Sequence, residues 1–452
     1  MHITGIIAEY NPLHSGHQYH IEQTRALVGG DSNSHYIITV LSGDFVQRGL
    51  PAVVDKHTRT RMALEAGSDL VLELPVPYAL SSGEGFGFGG VSLLHQLGCV
   101  DSLSFGTEEG ELDKLLAIAK VLNFENGAVS LSHNPMSCHE NMPCHETTPY
   151  QQAYQVALKQ GLTHPAARLQ ALSAAYPDLD LSVLNGLSNN MLALEYCKAL
   201  YSLASPIRPI TVKRMGQGYL DNTFSALPER SSANKDNQNL NFASATAIRE
   251  ALKETDLSDA DWANNILSCN VSPFVKDILT NAHAENRLIY PDDFSLLLHY
   301  KLLSLTRAEL TDYLEISPDF ANKICKNLSK FESFTQFANL LWTKDMTYAR
   351  VCRNLMHIIL DMKENTWNVH RPVPYARVLG FRKQAAPLLS EIKKKSTLPL
   401  ITKLADANKI LSPDAYRLLE LDMKAAHIYD SVIQQKSQLK TVHEMQKQIV
   451  ID

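Results

Sequence analysis

The sequence predicts an α/β protein with an N-terminal doubly wound parallel sheet and an all-helical C-terminal domain. Short apolar, β-branched runs alternate with helix-length stretches through roughly the first 110 residues. Strands separated by helices imply right-handed crossovers and a parallel sheet covered on both faces. From Ala251 onward the pattern is almost wholly helical, broken at Pro273, Pro291, Pro318 and Pro372-Val373-Pro374. A chain of 452 residues exceeds what one core organises, so two or three domains are expected, and the change of pattern divides the chain as 1–250 and 251–452.

The elements follow in order. Ile3 to Ala8 reads as a short buried strand. It stops in a polar turn, Glu9-Tyr10-Asn11-Pro12-Leu13-His14-Ser15-Gly16-His17, and Gln18 to Val28 reads as a helix. Tyr36 to Leu41 is the second strand, Lys56 to Gly67 a helix closing on glycine, and Asp69 to Pro75 the third strand. Gly83 to Leu97 reads as a helix and Ser102 to Phe105 as the fourth strand, ending at Gly106. Glu111 to Gln170 is mostly helical with a polar insertion near 130–148; Asn185 to Leu203 is a helix and Ile210 to Arg214 a strand. The stretch 221–240, rich in Ser, Asn, Asp and Lys, reads as a mobile loop. No internal repeat is evident.

A hydrophobic content of 45% and a charged content of 20% are ordinary for a globular protein. No run of about 18 apolar residues is present, so no membrane partner is expected. The first strand begins without a basic flank or small-residue cleavage site, which argues against a signal peptide. Seven cysteines, an odd number scattered along the chain, do not make a disulfide framework. A cytoplasmic protein is the expectation. The net charge of −6 hides an asymmetry, because Met346 to Ile410 carries twelve Lys and Arg against four Asp and Glu. Such a block suits a docking face for a polyanion or an ordinary solvated helical surface.

In a doubly wound sheet ligands bind beyond the carboxyl ends of the strands, where His14, His17, Ser42-Gly43-Asp44 and Gly106 all fall. A strand, a tight turn and a helix N-terminus aim backbone N–H groups and the helix dipole at one point, which suits a phosphate. His14 and His17, with His20 one turn on, could instead hold zinc. A catalytic zinc needs three protein ligands, and no H-E-x-x-H pattern is present. The embedding beside Asn11-Pro12 and Gly16 favours phosphate, so no metal ligands are assigned. Asp44 is a candidate base near the site or a turn residue. Ser132 to Glu146 packs Cys138, Cys144 and three histidines into one loop; its spacing matches no common zinc finger, and a surface insertion is the simpler reading. Cys197, Cys269, Cys325 and Cys352 sit in apolar contexts and are expected to be buried.

The pattern N-P-x-H-x-G-H resembles the signature of the nucleotidylyltransferase superfamily, whose members attack the α-phosphate of ATP. That resemblance makes the expected sheet one of nucleotidylyltransferase type. More narrowly, the chain resembles the bacterial tRNA(Met) cytidine acetate ligase family over nearly its whole length. The stretches carrying the likeness begin with Ala8 to His17, Ser42 to Ala52 with its Gln47-Arg48-Gly49-Leu50-Pro51-Ala52 core, and Leu72-Glu73-Leu74-Pro75. Phe105-Gly106-Thr107-Glu108, Leu187-Ser188-Asn189-Asn190 and Ala243 to Arg249 follow, then Arg377-Val378-Leu379-Gly380-Phe381 and Lys393-Lys394-Lys395-Ser396.

The resemblance implies ATP contacts at Ile7, Ala8, Glu9, Tyr10, Asn11, Pro12, Leu13, His14, Ser15, Gly16, His17, Gln18, Tyr19 and His20. It implies further contacts at Gly106, at Asn189 or its neighbour Asn190, and at Arg214 and Met215. Superfamily members also carry a late S-x-T-x-I-R-like element that opens a helix and holds the triphosphate. Ser244, Thr246 and Arg249 match it, the arginine offering a planar, permanently charged fork. The implied activity activates acetate with ATP, with Mg2+, as acetyl-adenylate and acetylates the wobble cytidine of elongator tRNA(Met) to N4-acetylcytidine. His14 and His17 would then stabilise charge at the α-phosphate, with Asp44 as a candidate catalytic group. The basic segment, through Arg377, Arg382, Lys393, Lys394, Lys395 and Lys403, is the expected tRNA-docking face. The rivals are a citrate-lyase-ligase-like enzyme, which has no need for that block, and a catalytically silent RNA-binding protein, against which the intact His14, His17 and Arg249 set argues.

Overall fold

The computed structural model describes residues 1–29, 34–108, 111–132, 148–184, 188–214, 243–254, 266–344, 346–364 and 367–452. The Cys138/Cys144 loop, the stretch 221–240 and Met215 lie outside these residues. Five strands make the parallel centre of the sheet: β1 (His2–Ala8), β2 (His35–Ser42), β5 (Leu70–Leu74), β6 (Ser102–Thr107) and β7 (Arg208–Lys213). They lie in the order β5-β2-β1-β6-β7. The order reverses between β1 and β6, and there the carboxyl ends of a doubly wound sheet open a crevice. A small antiparallel hairpin, β3 (Phe45–Val46) with β4 (Leu50–Pro51), stands above β2.

These strands are legible because they are buried on both faces and so read as continuous apolar runs. Ile38, Val40 and Leu72 point into one core with helices α4 (Gly83–Gln96) and α8 (Ser188–Ser202). Ile37, Leu41 and Val71 point into the other with α1 (Ser15–Val28), α2 (Lys56–Glu65) and α9 (Ala245–Glu254). A third core joins the later helices to Phe45, Val76 and Leu80.

The C-terminal half departs from the all-helical expectation. Its strand β8 (Ala376–Phe381) runs antiparallel along β5, and β9 (Leu400–Ile401) and β10 (Val450–Ile451) pair parallel with β8. They cover what would be a bare strand edge. The run is short and carries Arg377 inside it, which hides it among helices. Arg377 is buried: its guanidinium pairs with Glu73 at 2.6 Å and with Glu444 at 2.6 Å. Lys56 joins the same network, 2.7 Å from both Glu73 and Glu444. Burial alone would push the Glu444 carboxyl up, but Lys56, His57, Arg377 and Lys447 hold it far below its ordinary value.

Two cysteine expectations also fail. Cys197 and Cys352 are buried, but Cys269 and Cys325 are exposed. Among the described residues no helix is long and apolar enough to cross a membrane.

Candidate active site

The turn after β1 is held from below. Arg59, buried in α2, spreads its fork under three carbonyls: Nη1 donates to Glu9 O (2.7 Å) and Ser42 O (3.0 Å), and Nη2 donates to Gly43 O. Asn11 Oδ1 accepts from Val53 N–H at 2.8 Å, which ties the turn to the loop before α2. The chain passes through a left-handed Tyr10 and a cis Asn11–Pro12 bond. Helix α1 then starts at Ser15, three residues before the sequence expectation, with His14 as its N-cap.

The two histidines form a reciprocal capping box. Gly16 N–H donates to His14 Nδ1 at 3.1 Å and His14 N–H donates to His17 Nδ1 at 3.3 Å. With both Nδ1 atoms accepting, each neutral ring carries its proton on Nε2. The ring centroids lie 3.8 Å apart, with the planes tilted by 31°. Burial, then the charges of Arg214 and Arg249, lower the His14 pKa to about 3. Burial, then His14 and Arg214, lower His17 well below its ordinary value. His20, whose Nε2 lies 2.9 Å from Ser104 Oγ, is lowered to about 4 by burial and Arg214. His14 and His17 are therefore neutral Nε2–H donors in the protein alone.

A cavity of about 910 Å³ opens over this pair. Ile7, Ala8, Glu9, Tyr10 and Asn11 line it, as do His14, Gly16, His17, Tyr19 and His20. Pro12, Leu13, Ser15 and Gln18 lie outside its lining. Gly106 faces it from β6, where a Cβ would sit 3.2 Å from Arg214 Cγ. Asn189 lines the cavity and donates to Glu108 Oε1 at 2.8 Å, whereas Asn190 uses its amide on Glu108 N–H and Val183 O. Ser244 caps α9 by accepting from Ala247 N–H, and both Ser244 and Arg249 line the cavity. Arg249 donates to Asn11 O at 2.5 Å and to Thr246 Oγ1 at 3.1 Å, so Thr246 positions the arginine from outside the lining.

Asp44 is misplaced for chemistry. It is buried outside the cavity lining, accepting from Lys56 N–H at 2.8 Å, and serves the loop and the ion network. The basic block does not gather either. Arg377 is core. Arg382 is half-buried, 3.7 Å from Asp452. Lys393, Lys394, Lys395 and Lys403 are exposed. The lysine run packs beside the end of α4, where Thr397 N–H donates to Gln96 O. That is the amino end of the strands, opposite the cavity.

The far wall was missed. Arg168 pairs with Glu195, whose other oxygen lies 2.7 Å from Lys198, and Lys198 reaches Glu84 at 2.9 Å. His164 accompanies them, 2.8 Å from Tyr154 Oη, with its pKa lowered by burial and then by Arg350 and Arg168. The helix Tyr348–Leu360 adds Arg350 and Arg353. No local motif announces residues brought together from such distant positions. The Gln47-Arg48-Gly49 turn meets that helix: Gly49 has φ +76°, and a Cβ there would overlap the backbone of Arg353.

The comparisons agree with this geometry. The family model described as HIGH Nucleotidyl Transferase matches residues 1–444. The tRNA(Met) cytidine acetate ligase of Clostridium perfringens is 35% identical over 438 residues, 95% of each chain. That of Caldanaerobacter subterraneus subsp. tengcongensis is 36% identical over 430 residues, again 95% of each. A crystal structure of Thermotoga maritima TmcAL bound with alpha-thio ATP superposes with a TM-score of 0.83 at 26% identity, covering 100% of this chain and 99% of that one. The chain belongs to the HIGH nucleotidyl transferase family and, within it, to the family of the tRNA(Met) cytidine acetate ligases.

Proposed function

We propose that this protein activates acetate with ATP and transfers the acetyl group to N4 of the wobble cytidine of elongator tRNA(Met). The observation that carries the reading is the histidine capping box at the β1/β6 crevice of a chain similar to these ligases over about 95% of its length. An acetate oxygen attacks the α-phosphorus and pyrophosphate leaves, which gives acetyl-adenylate. The cytidine amine then attacks the acetyl carbon, the acyl–phosphate bond breaks, AMP leaves and the amine loses a proton. His14 and His17 direct Nε2–H donors at the α-phosphate, where negative charge grows in the transition state. Arg249 and Arg214 hold the triphosphate beside the N-terminus of α1. Gly106 and Asn189 border the nucleotide.

Magnesium enters with the nucleotide in this proposal. Among the described residues no group of three His, Cys, Asp or Glu side chains is set to hold a metal. Phosphate oxygens and water would supply its ligands. The exposed Lys393, Lys394, Lys395 and Lys403 would touch the tRNA body through its phosphates, and a cytoplasmic enzyme follows from that substrate.

The test is exchange of labelled pyrophosphate into ATP, which should require acetate. Exchange absent with acetate but strong with another carboxylate or a phosphate substrate overturns the acetate assignment. Nucleoside mass spectrometry of tRNA from cells lacking the protein should show loss of N4-acetylcytidine.

A further inference from the structure

We propose that Arg350 anchors a backbone phosphate of the acceptor RNA beside the reacting cytidine. The inference rests on the reading that the acceptor is a tRNA cytidine. Arg350 projects into the cavity from the first turn of the helix Tyr348–Leu360, which carries no acidic residue. Its Nε is buried without a hydrogen-bond partner, and among the described residues no carboxylate lies within ion-pairing distance. Its neighbours differ in having a carboxylate: Arg168 is paired with Glu195, and Arg353, whose Nε is likewise unpartnered, has Glu315 at 3.7 Å and Gln47 O at 3.5 Å. A half-buried guanidinium with no carboxylate partner and an inaccessible, idle Nε calls for an anion.

That anion is not the triphosphate. Arg214 and Arg249 are the arginines whose charges bear on His14, whereas the charge of Arg350 falls on His164 and Arg353 across the cavity. Acetate must meet the α-phosphorus near the histidine pair, so its carboxylate belongs to that wall too. A cytidine, however, carries its backbone on the opposite side of the base from N4. When the amine faces the adenylate, the flanking phosphates face the wall that holds Arg350. An anticodon loop offers unstacked bases with accessible phosphates. A phosphate contact there fixes register without reading sequence.

Arg350→Ala and Arg350→Lys test the assignment in the full-length protein with a tRNA(Met) transcript. The alanine variant should keep wild-type acetate-dependent pyrophosphate exchange. Its KM for tRNA should rise about 10- to 100-fold, as expected for losing one charge-assisted hydrogen bond. Its logarithmic salt dependence of tRNA binding should flatten by about one unit. The lysine variant should restore the salt dependence but only part of the affinity, because a point charge replaces a fork. A fall in exchange with a raised KM for acetate assigns Arg350 to the carboxylate and overturns the proposal. Unchanged tRNA binding and salt dependence overturn it as well. Failure of the acetate–tRNA reading is distinct: the wild-type protein itself would then lack acetate-dependent exchange. If the alanine variant does not fold, Arg350→Gln, which keeps the side chain's length, carries the same test.

Discussion

At the scale of single residues, the capping box makes each histidine both structure and chemistry. Each Nδ1 accepts a backbone N–H, so each Nε2–H is aimed outward before ATP arrives, and little reorganisation is left for the transition state. His17→Ala should therefore lower acetate-dependent exchange by about 10²- to 10³-fold while ATP binding weakens much less. Equal losses in rate and ATP affinity would show uniform binding instead. The depressed histidines also set a pH dependence. Their folded values, about 3 for His14 and about 4 for His20, lie below the unfolded value of 6.5, so the unfolded chain binds more protons at acid pH. Their contribution to stability is complete above 6.5 and is lost as pH falls from there toward 4 and 3. His14→Asn keeps a capping oxygen but removes the titration, so its melting temperature should fall less steeply over that window. An unchanged slope would assign the loss to other groups. The N-P-x-H-x-G-H pattern was visible in sequence because its parts are contiguous. Arg59, Arg168 and Glu195 were not, because folding alone gives them their partners. Asp44 looked catalytic from its loop, but its carboxylate turns down to Lys56.

At the scale of elements, strands buried on both faces announced themselves as unbroken apolar runs, which is why β1, β2, β5 and β6 could be read. The edge strand β7 was legible too, from its Ile210-Thr211-Val212 run, but the C-terminal strands were not. The ionic Arg377 interrupts β8, and β9 and β10 have two residues each, too few for any period. The Gln47-Arg48-Gly49 turn was legible as a motif but not in its purpose, which is contact with the helix Tyr348–Leu360. Gly49→Ala meets two obstacles there, a left-handed φ of +76° and overlap with the Arg353 backbone. It should cost about 1–3 kcal/mol in urea unfolding from the strained φ alone. It should also raise the KM for tRNA, since the displaced helix carries Arg350. A variant as stable as wild type would show that the helix yields freely and that this contact does not set the cavity wall.

At the scale of the whole molecule, the two halves share one sheet. The C-terminal strands cover β5, and Arg377 and Glu444 close an ion network with Lys56 and Glu73 from the N-terminal half. Charge counting along the sequence assigned Arg377 to a docking face because it cannot tell a buried cation from an exposed one. The lysines of the same block are exposed at the amino end of the strands, about 20 Å of sheet away from the cavity for a seven-residue strand. The two parts of the block should therefore fail differently. Arg377→Met strips one partner from a buried network and leaves Glu73 and Glu444 less compensated, which should cost about 3–5 kcal/mol. Its exchange and tRNA acetylation should decline together as the folded fraction falls on warming, with the salt dependence of tRNA binding unchanged in the protein that remains folded. Replacing Lys393, Lys394 and Lys395 together by Gln should move stability by no more than about 0.5 kcal/mol per site. That variant should keep acetate-dependent exchange and flatten the salt dependence of binding for all tRNAs alike. Denaturant unfolding and salt-series binding on both variants separate the cases. A stable Arg377→Met protein with a flattened salt dependence would put that cation on the RNA after all, and the network could not then be what joins the halves.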